Sequence, residues 1–218
     1  MEIQISNIQK RYGRQQVLQD ISLTAQSGSC IGILGCNGSG KSTLLQILAG
    51  ALKADSGSFT SDGKDLWKRP GVVGYIPQGT PLLEELSAWD NLRLWYGRQE
   101  LEKELSQGVL KLLGIGEFLK KPVHALSGGM KKRLSIGCAV AQRPPILLLD
   151  EPTAALDLPC KQQIHRYLNT YKRSGGILLL TTHDVTELAL CDQLYILREG
   201  RLAPYSYEGD PDKLAQEL

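Results

Sequence analysis

Apolar positions along this chain follow two periods, and the changes of period mark its elements. Ile3, Ile5 and Ile8 alternate with polar residues, and Val17-Leu-Gln-Asp-Ile-Ser-Leu23 opens a second such run. Both read as half-buried strands, with Tyr12-Gly13 turning between them. Cys30-Ile-Gly-Ile-Leu34 is apolar throughout, as a strand covered on both faces must be. Thr43-Leu-Leu-Gln-Ile-Leu-Ala49 then reads as an apolar helix closed by Gly50. Ser56–Phe59 and Val72–Ile76 are short strands on either side of the turn dipeptide Asp62-Gly63.

From about Leu82 the helical period takes over. Ser87–Arg98 has a capping serine and apolar Trp89, Leu92, Leu94 and Trp95; Leu101–Leu113 repeats Leu101, Leu105, Val109 and Leu112 at helical spacing. Trp89, Trp95 and Tyr96 are expected to pack this segment. After a break at Ser127-Gly-Gly the helix resumes over Met130–Gln142, and Pro144-Pro145 stops it. Strands at Ile146–Leu149, Ile177–Thr182 and Gln193–Leu197 then alternate with helices at about Pro159–Arg173 and Val185–Leu190. That alternation implies an α/β fold, a mostly parallel sheet with helices on both faces. The stretch 82–143 reads as a helical insertion within one domain, 1–218. Lys120-Lys121, Lys131-Lys-Arg133, His124 and His165 read as solvated.

Composition narrows the class. The 218 residues are 42% hydrophobic and 22% charged, ordinary for a globular protein with a substantial core. A net charge of +2 is too small for the strongly basic face that nucleic acid demands, so no nucleic-acid partner is expected. No apolar run approaches the ~18 residues of a membrane span, and Met-Glu-Ile-Gln-Ile shows no signal-peptide pattern. The five cysteines are odd in number and never form a CxxC pair, which argues against zinc and a disulfide framework and for a reducing compartment. Redox centres are not suggested.

The chemistry begins at Gly35-Cys36-Asn37-Gly38-Ser39-Gly40-Lys41-Ser42, a glycine, four residues, then Gly-Lys-Ser, between a buried strand and a helix. Gly35, Gly38 and Gly40 permit positive φ, so successive N–H groups can line one concavity at a helix N-terminus. Lys41 is placed to reach β- and γ-phosphates and Ser42 to ligate Mg²⁺. The chain is therefore expected to bind a nucleoside triphosphate.

Ile146-Leu-Leu-Leu-Asp150-Glu151 is an apolar strand ending in two carboxylates. At a strand's carboxyl end, Asp150 would face the Mg²⁺ and Glu151 the attacking water as general base; the plain alternative is that both merely cap the next helix. Leu126-Ser127-Gly128-Gly129-Met130 opens a second helix in the manner of an anion site. One ATP does not need two cradles from one chain, so this one makes sense against the γ-phosphate held by another copy, unless it is only a flexible N-cap.

With these motifs in order along essentially its whole length, the chain resembles the ATP-binding subunit of an ABC transporter. The resemblance implies a phosphate-loop NTPase core with a mostly parallel sheet, an antiparallel N-terminal β subdomain and an inserted helical subdomain. It implies that Tyr12 stacks on adenine, that Gly35–Ser42 extending to Thr43 is the Walker A loop, and that Gln78 contacts Mg²⁺ and water and senses the membrane partner. Ser127, Gly128 and Gly129 correspond to the signature motif, Asp150 to the Walker B aspartate, Glu151 to the catalytic carboxylate, Asp157 to the loop crossing the dimer interface and His183 to the switch histidine. ATP and Mg²⁺ are the implied ligands. The implied partners are a second copy or a related cassette, joined on ATP binding, and integral membrane permease subunits at the cytoplasmic face of the membrane. Met130 stands where the family usually has Gln. The chain ends soon after its last expected strand, without the regulatory domain of many importer subunits, which favours an exporter. Glu84 and Glu85 are candidate permease contacts.

A soluble ABC-type ATPase of DNA repair or translation is the alternative. It normally needs two cassettes or a long coiled coil between Walker A and signature, and the stretch from Lys41 to Ser127 is too short for one.

Overall fold

A computed structural model describes residues 1–218. Strands β1 (Glu2–Tyr12) and β2 (Gln15–Gln26) lead into β3 (Cys30–Leu34) and helix α1 (Lys41–Leu48). Next come β4 (Ser56–Ser61), β5 (Lys64–Asp65) and β6 (Val73–Ile76). Four helices follow: α2 (Ala88–Arg93), α3 (Arg98–Gln107), α4 (Val109–Leu112) and α5 (Gly128–Ala139). The chain then alternates through β7 (Ile146–Asp150), α6 (Leu158–Arg173), β8 (Ile177–Thr181), α7 (Val185–Leu188) and β9 (Gln193–Arg198). It closes with β10 (Arg201–Tyr205) and α8 (Pro211–Glu217). No helix is long and apolar enough to cross a membrane.

Two sheets carry the fold. An antiparallel sheet of order β2-β1-β4-β5 joins the first strands, with Ile3, Ile5 and Ile8 of β1 fully buried as their alternation predicts. The larger sheet has order β10-β9-β3-β8-β7-β6 and is parallel except for β10 on β9. Every residue of β3, β7 and β8 is buried. Because side chains alternate across a strand, these runs feed two separate cores. Ile146, Leu148, Ile177 and Leu179 pack with Leu44, Leu45 and Leu48 of α1 on one face. Leu147, Leu149, Leu178 and Leu180 pack with Leu134 and Ile136 of α5 and Ile164 and Leu168 of α6 on the other.

The helical stretch departs from its sequence pattern in two places. The first expected helix stops at Arg93, and the chain turns toward Gly97, which caps α3. Tyr96 is buried and donates to the Gly137 carbonyl at 2.8 Å, whereas Leu94 and Trp95 stand 61% and 57% exposed, so Trp95 does not pack this segment as expected. The second helix breaks at Gly108. There the Glu104 carboxylate folds back to accept the Val109 N–H at 2.8 Å, and its other oxygen takes Arg143 Nη2 at 2.9 Å. A Cβ on Gly108 would lie 1.9 Å from that carboxylate, so only glycine leaves room for this cap.

The basic run on α5 also differs from expectation. Lys131 pairs with Glu84, both carboxylate oxygens at 2.9 Å, but Lys132 and Arg133 turn inward and are buried. Arg133 donates to the Leu113 carbonyl and Gln163 Oε1 and lies 5.1 Å from the Phe118 ring. His124 is exposed as expected, whereas His165 is half-buried, its Nε2 3.9 Å from Glu187. Strand β10 and helix α8 had no sequence signature. An edge strand holding Pro204, and a helix burying little beyond Leu214, leave no clear period.

Candidate functional site

The phosphate loop joins β3, the central strand, to α1. Gly35 sits at φ 153°, where a Cβ would meet the Leu197 carbonyl oxygen at 2.5 Å and Ser39 Oγ at 2.7 Å. Gly40 caps α1 at φ 106°. No side chain caps α1 and its first turn holds no acidic residue, so its orphan N–H groups stay available at the positive end of the helix. Lys41 is 6% exposed and curls over the loop, donating to the carbonyls of Gly35 at 2.7 Å and Cys36 at 3.0 Å. Burial lowers its pKa, and the Glu151 and Asp150 carboxylates oppose that shift.

The remaining chemistry sits on three neighbouring parallel strands. Gln78 follows β6, Glu151 follows β7 and His183 follows β8, so the strand order sets their loops side by side at the carboxyl edge. Glu151 stands at φ 46°, a left-handed conformation that costs about 1 kcal/mol or more and re-aims its side chain. Its N–H is held by the carbonyl and the hydroxyl of Thr181, both at 3.1 Å. One carboxylate oxygen accepts Gln78 Nε2 at 3.0 Å, and the other lies 3.2 Å from His183 Nε2. Asp150 is 3% exposed and accepts the Thr181 hydroxyl at 2.7 Å.

A cleft of about 450 Å³ brings Tyr12, Gly38, Lys41, Ser42, Gln78 and Glu151 together, with Asn37, Gly40 and Thr43 completing its wall. Gly35, Cys36 and Ser39 do not line this cleft; Cys36 and Ser39 line a neighbouring hollow with Leu197 and Leu218. Cys36 is exposed, and its thiol donates to the Leu218 carbonyl. Ser39 Oγ is buried without a partner. His183 faces an adjoining hollow with Glu151, Lys161 and Asp184. Ser127, Gly128, Gly129 and Asp157 do not line the cleft. Ser127 Oγ caps α5 by accepting the Met130 N–H, Asp157 caps α6 by accepting the Cys160 N–H, and the Cys160 thiol ties the two helix starts by donating to the Gly129 carbonyl.

Sequence reasoning missed Thr181, Lys132 and Lys161. Thr181 was visible as the polar end of an apolar strand. Lys161 is bonded to Asp184, next to His183. Lys132 donates to the carbonyls of Pro77 at 2.7 Å and Gln78 at 3.2 Å. Burial pushes its pKa down to about 8 against the pull of Asp150, Glu187 and Glu151.

The cleft fits a magnesium nucleotide. Lys41, the uncapped helix end and the open space beside Gly38 suit phosphate oxygens. Ser42 and Gln78 in its wall offer the hard oxygen donors that Mg²⁺ takes, while Asp150 is buried on Thr181 and does not line the cleft.

This geometry defines a phosphate-loop nucleotide-binding α/β protein. The sequence model described as ABC transporter matches residues 18–154, and the chain belongs to that family as one of its ATPase cassettes. The linearmycin resistance ATP-binding protein LnrL of Bacillus subtilis (strain 168) is 34% identical over 92% of this chain and 67% of its own length. The Nod factor export ATP-binding protein I of Sinorhizobium fredii is 36% identical over 99% of this chain and 64% of its own. A sulfate/thiosulfate import ATP-binding protein of Bacillus cereus matches at 34% over 93% of this chain and 60% of its own. The chain thus spans about two thirds of the length of these relatives. Among solved structures, a dimeric ATP-binding cassette in a post-hydrolysis state with ADP and phosphate superposes with a TM-score of 0.80 at 26% identity. That match covers 95% of this chain and all of the other.

Proposed function

We propose that this chain is the ATP-hydrolysing subunit of an exporter, closing as a dimer over two nucleotides to drive separate membrane subunits. The observation that carries the hydrolytic reading is Glu151, bracketed by Gln78 and His183 at the mouth of the phosphate-loop cleft. In this reading Tyr12 stacks on adenine, and the loop Gly35–Thr43 wraps the phosphates, with Lys41 on the β- and γ-oxygens. Ser42, Asp150 and Gln78 would hold Mg²⁺, which would neutralise phosphate charge when bound. Glu151 takes the proton of the attacking water, Gln78 orients that water, and His183 holds the γ-phosphate edge. Ser127, Gly128, Gly129 and Asp157 serve the nucleotide of the partner copy, homologous or identical. Ser127, Gly128 and Asp157 stand exposed, Gly129 is half-buried, and all four lie outside their own chain's cleft, which supports this.

Leu83, Leu86, Leu94 and Trp95 are exposed apolar side chains before and after α2, and Trp95 lines a hollow of about 310 Å³ with Tyr75, Leu82 and Ala139. Exposed apolar side chains of this kind suit a helix of a membrane subunit, and in this reading the chain works at the cytoplasmic membrane face. Glu84 is committed to Lys131, which leaves the exposed Glu85 and Trp95 as the candidate contacts. Export as the direction rests on the export relative, whose name reports that activity, and on no site residue.

Mixing two defective chains tests the shared site. Ser127→Arg should bind ATP as a monomer yet fail to dimerise or hydrolyse. With Lys41→Ala chains it should regain hydrolysis, since one site per mixed dimer carries neither lesion. Loss of ATP binding by the Ser127→Arg monomer would refute the shared-site reading.

A further inference from the structure

We propose that Lys132 is a positioning residue for hydrolysis, holding the Pro77–Gln78 backbone from α5 so that the Gln78 amide meets Glu151. The inference rests on the reading of Gln78 and Glu151 given above. After β6 ends at Ile76, Pro77 has no N–H and neither the Pro77 nor the Gln78 carbonyl accepts a backbone N–H. The segment that carries Gln78 thus lacks the ladder that fixes its neighbours. The Lys132 ammonium takes both carbonyls, at 2.7 and 3.2 Å, from a side chain 5% exposed. A buried donor to two otherwise unpaired carbonyls leaves the segment one low-energy position, because releasing it strands polar groups away from water. From that position the Gln78 side chain reaches Glu151 at 3.0 Å.

The tie also joins two parts of the molecule. Lys132 lies five residues beyond Ser127, the cap of α5, within the same helix. A helix moves as a rigid piece, so a shift of α5 when Ser127 meets a partner's nucleotide carries Lys132, and with it the Gln78 segment. The charges of Asp150, Glu187 and Glu151 oppose the effect of burial on this ammonium. A neutral aliphatic side chain there would lose both bonds to the Pro77 and Gln78 carbonyls.

A double-mutant cycle tests the role. Steady-state hydrolysis is measured for the wild type, Lys132→Met, Gln78→Ala and the double variant, with Glu151→Gln as the check on the site. Lys132→Met should lower kcat about tenfold while the KM for ATP stays within about twofold. In the Gln78→Ala background it should change kcat by less than about twofold, since a residue that acts through Gln78 has nothing left to position. Lys132→Gln, closer in polarity, should show the same non-additivity at smaller amplitude and decides the question if Lys132→Met unfolds. Losses that multiply in the double variant, or a wild-type kcat in Lys132→Met, would overturn the role of Lys132 alone. Wild-type turnover in Glu151→Gln would instead remove the reading of the site on which it rests.

Discussion

Replacing Glu151 by Gln removes one oxygen's charge and keeps the side chain's shape, which makes it the sharpest test of the cleft. The structure says what survives. The new amide oxygen can accept Gln78 Nε2 as the carboxylate did at 3.0 Å. The amide N–H₂ can donate to His183 Nε2 across the present 3.2 Å when the histidine carries its proton on Nδ1. The left-handed backbone at 46° costs Gln and Glu alike, and the two Thr181 bonds to the residue's N–H are untouched. The frame should therefore stand and ATP binding should change by no more than a few-fold. Lys41 loses one of the carboxylates that offset its burial, but the phosphates themselves replace that charge. Proton abstraction is lost. A positioned general base is worth about 10²–10⁴ in rate, or about 3–5 kcal/mol of barrier. Single-turnover phosphate release should fall by that factor, and an ATP-bound dimer should accumulate on gel filtration. Turnover within about tenfold of wild type would refute Glu151 as the base.

Two further outcomes follow from the geometry. Trp95→Glu should abolish co-purification with a membrane subunit while leaving hydrolysis by the isolated chain unchanged, because Trp95 is 57% exposed and lies outside the cleft; intact assembly would move the docking surface elsewhere. Burial raises the pKa of Asp184, but hydrogen bonds from Lys161 and Thr186 outweigh it and hold the carboxyl at about 2, below the usual aspartate range. A depressed pKa stabilises the fold above the unfolded value and loses that contribution as pH falls through the folded one. The urea midpoint of the wild type should accordingly drop more steeply between about pH 4 and pH 2 than that of Lys161→Met, and parallel curves would refute the pairing.

Much of this molecule was legible from the chain because its signals are local. The phosphate loop is eight consecutive residues whose glycines answer a backbone need, and β3, β7 and β8 announce themselves as unbroken apolar runs. Glu151 stood out as a candidate from its place at the end of such a run. Where the reading failed, a distant partner decided. Glu104 broke a helix whose period ran on through Gly108, because its carboxylate found Val109 N–H and Arg143. A basic run read as solvated was buried on one side because α5 lies against Pro77, Gln78, Leu113 and Gln163. Trp95, which carries an apolar side chain at a helical position, was left in the open when α2 ended early. Residue order alone could name Gln78, Glu151 and His183 as candidates. Their meeting depends on the strand order β8-β7-β6, which sets three loops side by side, and on the tertiary contacts of Lys132 and Thr181 that hold them there. Periodicity and turn chemistry are written within a few residues of the chain, whereas the pairing of charges across it is settled only when the sheet is assembled and water is excluded.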